Sequence, residues 1–187
     1  ISVTGIPYTY GQPLGGISEA ADHLRKHGLL KRLGAFASIE DFGNLKFDHP
    51  KLRKTSDKII DLPANSAANN EISEFISSLN PNSFILNIGG DHGMGLGTIH
   101  GLLNLHPESV IVWADAHGDI NTPGSSPSGN FHGMPLAFLL HLCSDERFSW
   151  IKNRLSSQKL ILLGQRDLDQ GEKDIIESLG IQCYSSE

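Results

Sequence analysis

Residues 113–123 read WADAHGDINTP, and they follow the apolar run Val110, Ile111 and Val112. Asp115, His117 and Asp119 fall at every second position, and Asn121 continues the spacing. In an extended segment, positions i, i+2 and i+4 share a face. Two carboxylates and an imidazole are therefore expected on one side, with the small Ala116 and Gly118 on the other. Carboxylates brought together repel and are costly to desolvate unless a cation offsets them. Carboxylate oxygens and a neutral imidazole suit a divalent metal, with Mn, Fe, Co and Zn all compatible. The plainer reading is that Asp and His after a strand serve as loop residues or helix caps.

The surroundings repeat the pattern. FILNIGG (84–90), SVIVWA (109–114) and KLILLG (159–164) are short continuous apolar runs, and each is followed by a helical stretch: near Leu96–Leu105, at residues 133–142, and near Glu172–Leu179. Such runs alternating with helices predict a parallel sheet covered on both faces. Sheets of this kind bind ligands beyond the carboxyl ends of their strands. The polar clusters GGDHG (89–93), DAHGDIN (115–121) and GQRDLDQGE (164–172) all lie at such ends. Neighbouring strands lie about 4.8 Å apart, so His92 is expected to reach the ion site of Asp115, His117 and Asp119. Asp91 is read as a helix cap or as a residue that orients a ligand.

Upstream, residues 1–7 read as a first strand, and a Gly/Pro loop occupies 10–16. A helix is expected over Ser18–Leu33, with Ala21, Leu24, Leu29, Leu30 and Leu33 inward and Gly28 as a weak point. Residues 35–63 are mixed, with Pro50 and Pro63 expected to break long elements. A polar helix is expected over 65–79, with Ile72, Phe75 and Ile76 inward. IQCYSSE (181–187) reads as a further strand. Both ends look cut, which predicts a fragment of a longer chain.

With 187 residues, 39% apolar and 19% charged, the chain suits one globular domain over 1–187. A net charge of −6 argues against a nucleic-acid partner. No apolar run approaches the ~18 residues of a membrane span. Two cysteines, Cys143 and Cys183, are too few for a disulfide scaffold. The expected compartment is the cytoplasm, with the mitochondrion as the other option.

His92, Asp115, His117 and Asp119 supply roughly half of the ten to twelve positions that two bridged octahedral ions require. Two divalent ions bring about +4 against about −2 from these ligands and −1 from a bridging hydroxide. A dinuclear site therefore calls for further carboxylates, whereas a mononuclear site needs fewer.

Taken in order, GQPLGG, GGDHG, DAHGDINTP, SPSGNFHGMPLA and GQRDLDQGE make the chain resemble the ureohydrolases, and arginase among them, over nearly its whole length. SGNFHG (128–133) favours arginase over agmatinase. The resemblance implies a three-layer α/β/α fold with a mostly parallel sheet, incomplete at the C-terminus. It also implies two Mn2+ ions per complete site and hydrolysis of L-arginine to L-ornithine and urea by a metal-bridged hydroxide. By motif, His92 and Asp119 match ligands of one manganese, His117 a ligand of the other, and Asp115 a bridging carboxylate. His132 matches a proton-carrying histidine. Asn121, Ser128 and Asn130 match residues that hold the amino acid's carboxylate. Asp169 and Glu172 match acids near its α-amino group, and Asp167 a supporting acid. Homo-oligomers, trimeric or hexameric, are implied as well.

Three features depart from the family pattern. Gly93 stands where many members have Ser, and Leu14 replaces a basic residue. A second Asp-x-Asp metal motif and a distal Glu for the guanidinium are absent from the sequence, which leaves four of six expected ligands. Agmatinase chemistry is the alternative within the family, and a truncated non-catalytic protein the alternative outside enzymes. A zinc deacetylase-like enzyme is disfavoured because no adjacent histidines occur.

Overall fold

The computed structural model describes residues 1–14, 16–49 and 59–186. Among the described residues, six strands form two parallel three-stranded sheets. The first has the order β2–β1–β3, from β1 (Ser2–Ile6), β2 (Glu40–Asn44) and β3 (Ile85–Gly89). The second has the order β4–β5–β6, from β4 (Ile111–Ala114), β5 (Leu160–Gln165) and β6 (Gln182–Ser185). The parallel α/β expectation holds, with the strands grouped as two sheets.

Side chains alternate across a strand, and β1 uses both directions. Val3 packs with Ala21, Ile88 and the partly buried Leu29, Leu30 and Leu33 on one face. Ile6 packs with Ala68, Ile72 and Ile76 on the other. The first face is covered by α1 (Ala20–Lys26) and α2 (Leu29–Leu33), the second by α3 (Leu62–Ser77). The first sheet therefore lies in the middle of three layers. Helix α4 (Gly95–Leu105) packs on α3 and joins the larger core, where Leu96, Ile99 and Leu103 meet Ile111, Trp113, Leu160 and Leu162. The short α5 (Pro135–Leu139) is buried at every residue, with Pro135 in its first turn as expected, and α6 (Gln170–Leu179) follows β5.

Several expectations need correction. The helix expected over Ser18–Leu33 is two helices, because Gly28 takes a φ of 90° and interrupts the hydrogen-bond ladder. Leu24, expected inside, is 44% exposed. Strand β2 was invisible in the polar string EDFGN. It is an edge strand with an exposed surface, and it pairs with β1 through backbone groups alone. Arg25 straps it from α1 by bonding the Asp41 carboxylate (2.8 Å), the Gly43 carbonyl (2.9 Å) and the Asn44 side chain. Pro63 breaks nothing; it lies in the first turn of α3, where its missing N–H is harmless. Pro50 lies outside the described residues.

Candidate active site

The end of β3 carries the first candidate ligand, His92. Asp91 caps a single 3-10 turn, His92–Met94, by accepting the Gly93 N–H at 2.9 Å. That turn lays the His92 ring against Trp113 of β4, with ring centroids 4.5 Å apart. Gly93 has little room for a side chain. A Cβ there would lie 2.9 Å from both Tyr8 Cε1 and Asp91 Oδ1, so the buried Tyr8 ring takes the space that the family's Ser would need. Leu14, the other substituted position, is 72% exposed.

The end of β4 carries the carboxylates. Asp115 extends the β4–β5 ladder, donating its N–H to the Leu163 carbonyl at 3.1 Å. The chain then bends at 115–117 instead of running extended. Asp119 takes a left-handed φ of 47°, which is uncommon for a residue with a side chain. Its carbonyl accepts the Leu136 N–H at 3.1 Å, and the residue is buried. A non-glycine residue held at positive φ with its backbone pinned is local strain of the kind found at functional sites.

The bend changes which side chains meet. Asp115 Oδ2 lies 2.7 Å, and Asp119 Oδ2 2.8 Å, from the same nitrogen, His92 Nδ1. His92, Asp115 and Asp119 thus offer ligand atoms within 4.8 Å of one another. His117 stands apart from that trio. Its ring is 57% exposed, with Nδ1 3.4 Å from Asp115 Oδ1 and Nε2 3.4 Å from Asp167 Oδ2. One imidazole nitrogen carries at most one proton, yet two carboxylates converge on it. A cation is the species that would satisfy both. The donor set therefore fits a divalent ion, with His117 at the rim facing outward.

These residues open into a cavity of about 380 Å³ that Asn121, Ser128, His132, Asp167, Asp169 and Glu172 also line. Asn130 is not among the lining residues; its backbone N–H donates to Ser128 Oγ at 3.2 Å. His132 belongs to a 3-10 turn, Phe131–Gly133, whose Phe131 is fully buried. Asp169 caps α6. Its Oδ1 accepts the Glu172 N–H (2.9 Å), its Oδ2 accepts from Asn121 Nδ2 (2.7 Å), and Glu172 returns a bond to the Asp169 N–H (3.3 Å). The helix-capping reading of Asp169 and Glu172 thus holds, and both also face the cavity. Ser126, Pro127 and Gly133 complete the lining without having been singled out in the sequence, where small and polar loop residues carry no distinguishing signal.

Electrostatics separates the two inner histidines. Burial opposes charge on His92, but the hydrogen bond and charge of Asp119, helped by Asp115 and Asp91, outweigh it and raise its pKa. Burial lowers the pKa of His132; Asp119 opposes this, while His92 and His117 add to it. Glu172 is raised, first by burial. Burial and charge thus favour the charged form of His92 beside the carboxylates and the neutral form of His132.

The family model "Arginase family" matches residues 1–187. This chain belongs to the arginase family. It is 37% identical to the hepatic arginase of Aquarana catesbeiana and to the mitochondrial arginase-2 of Rattus norvegicus, over 99% of its own length. It spans only 59% and 54% of those relatives. Among solved structures, the arginase of Entamoeba histolytica bound to L-ornithine superposes with a TM-score of 0.88 at 32% identity, covering 98% of this chain and 64% of that one. A formimidoylglutamase of Bacillus subtilis, 18% identical with a TM-score of 0.73, shares the fold. The family members are thus arginases in the main, and the three-layer α/β fold is common to them.

Proposed function

We propose that this protein hydrolyses the guanidino group of L-arginine, releasing urea and L-ornithine, at a dinuclear manganese site to which His92, Asp115, His117 and Asp119 contribute. The observation that carries the reading is the meeting of His92, from the end of β3, with Asp115 and Asp119, from the end of β4. When bound, the ions would act as Lewis acids and lower the pKa of water for attack on the guanidinium carbon.

The chain's own residues do the rest. Asp115 and Asp119 concentrate negative charge on one side of the cavity, and His92 is held between them and Trp113. Asp167, Asp169 and Glu172 put further acids on the wall, which suits an α-ammonium group. Ser128 and Asn121 put polar groups on the cavity wall for a carboxylate, and Asn130 holds Ser128 Oγ through its backbone N–H. Burial lowers the His132 pKa and favours its neutral form, and the residue lies within the same cavity, so its ring can take up a proton and pass it to the departing amine nitrogen. The reading extends to a homo-oligomer, trimeric or hexameric, which molar-mass measurement in solution tests.

The deciding assay is urea release by the full-length, manganese-loaded protein on L-arginine and on agmatine. Arginine is the expected substrate, and preference for agmatine would overturn the assignment. Asp119→Ala should lower bound manganese and cut urea release by more than about 100-fold, beyond the range seen when only the supports of ligands are removed. Urea release unchanged in that variant would remove the proposed metal centre.

A further inference from the structure

Asp91 does more than cap the His92 turn. A cap needs one side-chain oxygen, and Oδ1 serves that role on the Gly93 N–H. Its second oxygen, Oδ2, accepts the N–H of Gly11 at 3.0 Å, 80 residues away in sequence. Gly11 in turn accepts the backbone N–H of His132 on its carbonyl, also at 3.0 Å. One buried carboxylate, 4% exposed, therefore ties together the turn bearing a metal ligand, the loop after β1 and the turn bearing the proton carrier. The packing at Gly11 is equally specific. A Cβ there would fall 2.2 Å from Asp91 Oδ1 and 3.0 Å from His132 Cβ.

We infer that Asp91, acting through Gly11, is the positioning residue that seats His132 in the cavity it shares with His92, and that the backbone of Gly11 is its strap. This rests on the proposed arginine hydrolysis only for its kinetic consequence. The chemistry explains why aspartate is needed. Two N–H donors face its two oxygens, whereas an asparagine presents one oxygen and an NH2 group that has no lone pair for the second donor. Losing the Gly11 bond frees the loop and leaves the His132 turn without its anchor. The reaction needs that turn fixed, because a proton carrier displaced by a fraction of an ångström loses reach to the leaving nitrogen.

The test is Asp91→Asn in the full-length, manganese-loaded protein. Amide hydrogen exchange at Gly11 and His132 should accelerate by more than about 10-fold, while exchange in Leu96–Leu105 stays within about twofold. For arginine, kcat should fall about 10- to 100-fold with KM nearly unchanged. In a His132→Ala background, Asp91→Asn should add no further loss, because both changes remove the same function. Unchanged exchange at His132, or losses that multiply in the double variant, would overturn the inference. If Asp91→Asn does not fold, Gly11→Ala provides the same readouts by forcing the strap apart. Selective exchange at Gly11 and His132 in a protein that does not hydrolyse arginine would support the strap and remove the arginine assignment alone.

Discussion

Strands β1 (SVTGI) and β4 (IVWA) both sit in parallel sheets, but the more polar β1 is the more deeply buried. All five residues of β1 are inaccessible, with helices α1 and α2 on one face and α3 on the other. In β4, Ile111 and Trp113 enter the core, while Val112 is 56% exposed and Ala114 faces outward beside it. Val110, just before the strand, and Leu163 of β5 are likewise exposed. A continuous apolar run states only that both faces of a strand tolerate apolar cover. Whether a helix lies over each face is decided by where the following elements pack. Both strands nonetheless serve the site, β4 by carrying Asp115 and Asp119 at its end, and β1 by leading into the loop that holds Gly11.

The largest effect expected from breaking this contrast is at Trp113. Its ring fills the space beside Gly95 of α4, where a Cβ would lie 2.7 Å from Trp113 Cη2, and it backs His92. Trp113→Ala should lower unfolding free energy by about 3–5 kcal/mol in urea titrations, and it should also weaken manganese binding. A second effect comes from His100, which bonds α4 to α3 and to the segment after residue 150. Lys152 N–H donates to His100 Nε2 (3.1 Å), so Nδ1 carries the proton and donates to Ser73 Oγ (2.7 Å). Burial, assisted by His141, lowers its pKa from 6.5 to about 4. The unfolded chain therefore binds this proton at higher pH than the folded one. Stability is full above pH 6.5 and is lost as pH falls toward 4, by roughly 3 kcal/mol at most. His132 and His141 are lowered too and act in the same direction. His100→Gln should flatten much of that acid limb in urea unfolding measured as a function of pH.

The same substitution on the two strands gives the sharpest test. Val3→Ala, at a side chain with no exposure, should destabilise by about 2 kcal/mol. Val112→Ala, at an exposed position, should change stability by less than about 0.5 kcal/mol. Equal losses at both positions in chemical unfolding would mean that the outer face of β4 is covered in solution, and the contrast would fail.

Much of this was legible from residue types. Short continuous apolar runs located β3, β4 and β5, and the periodicity of Ile72 and Ile76 located α3. DAHGD and GGDH pointed to a cluster at two strand ends, and His92, Asp115 and Asp119 do come together there. β2 was not legible, since an edge strand held by backbone pairing and by Arg25 places few demands on its side chains. The period-two reading of Asp115, His117 and Asp119 put three side chains on one face, whereas only Asp115 and Asp119 meet at His92. The chain bends, Asp119 turns left-handed, and His117 lies between Asp115 and Asp167 without reaching His92's shared contact.

The order of the strands and the choice of candidate ligand side chains were determined by the sequence itself, because hydrophobic period and side-chain type are local properties. The tertiary structure alone decided that two carboxylates close on one nitrogen of His92, that β4 buries a single face, and that Asp91 reaches Gly11 across 80 residues. Those outcomes depend on distances between segments remote in the chain, and no spacing along the chain encodes them.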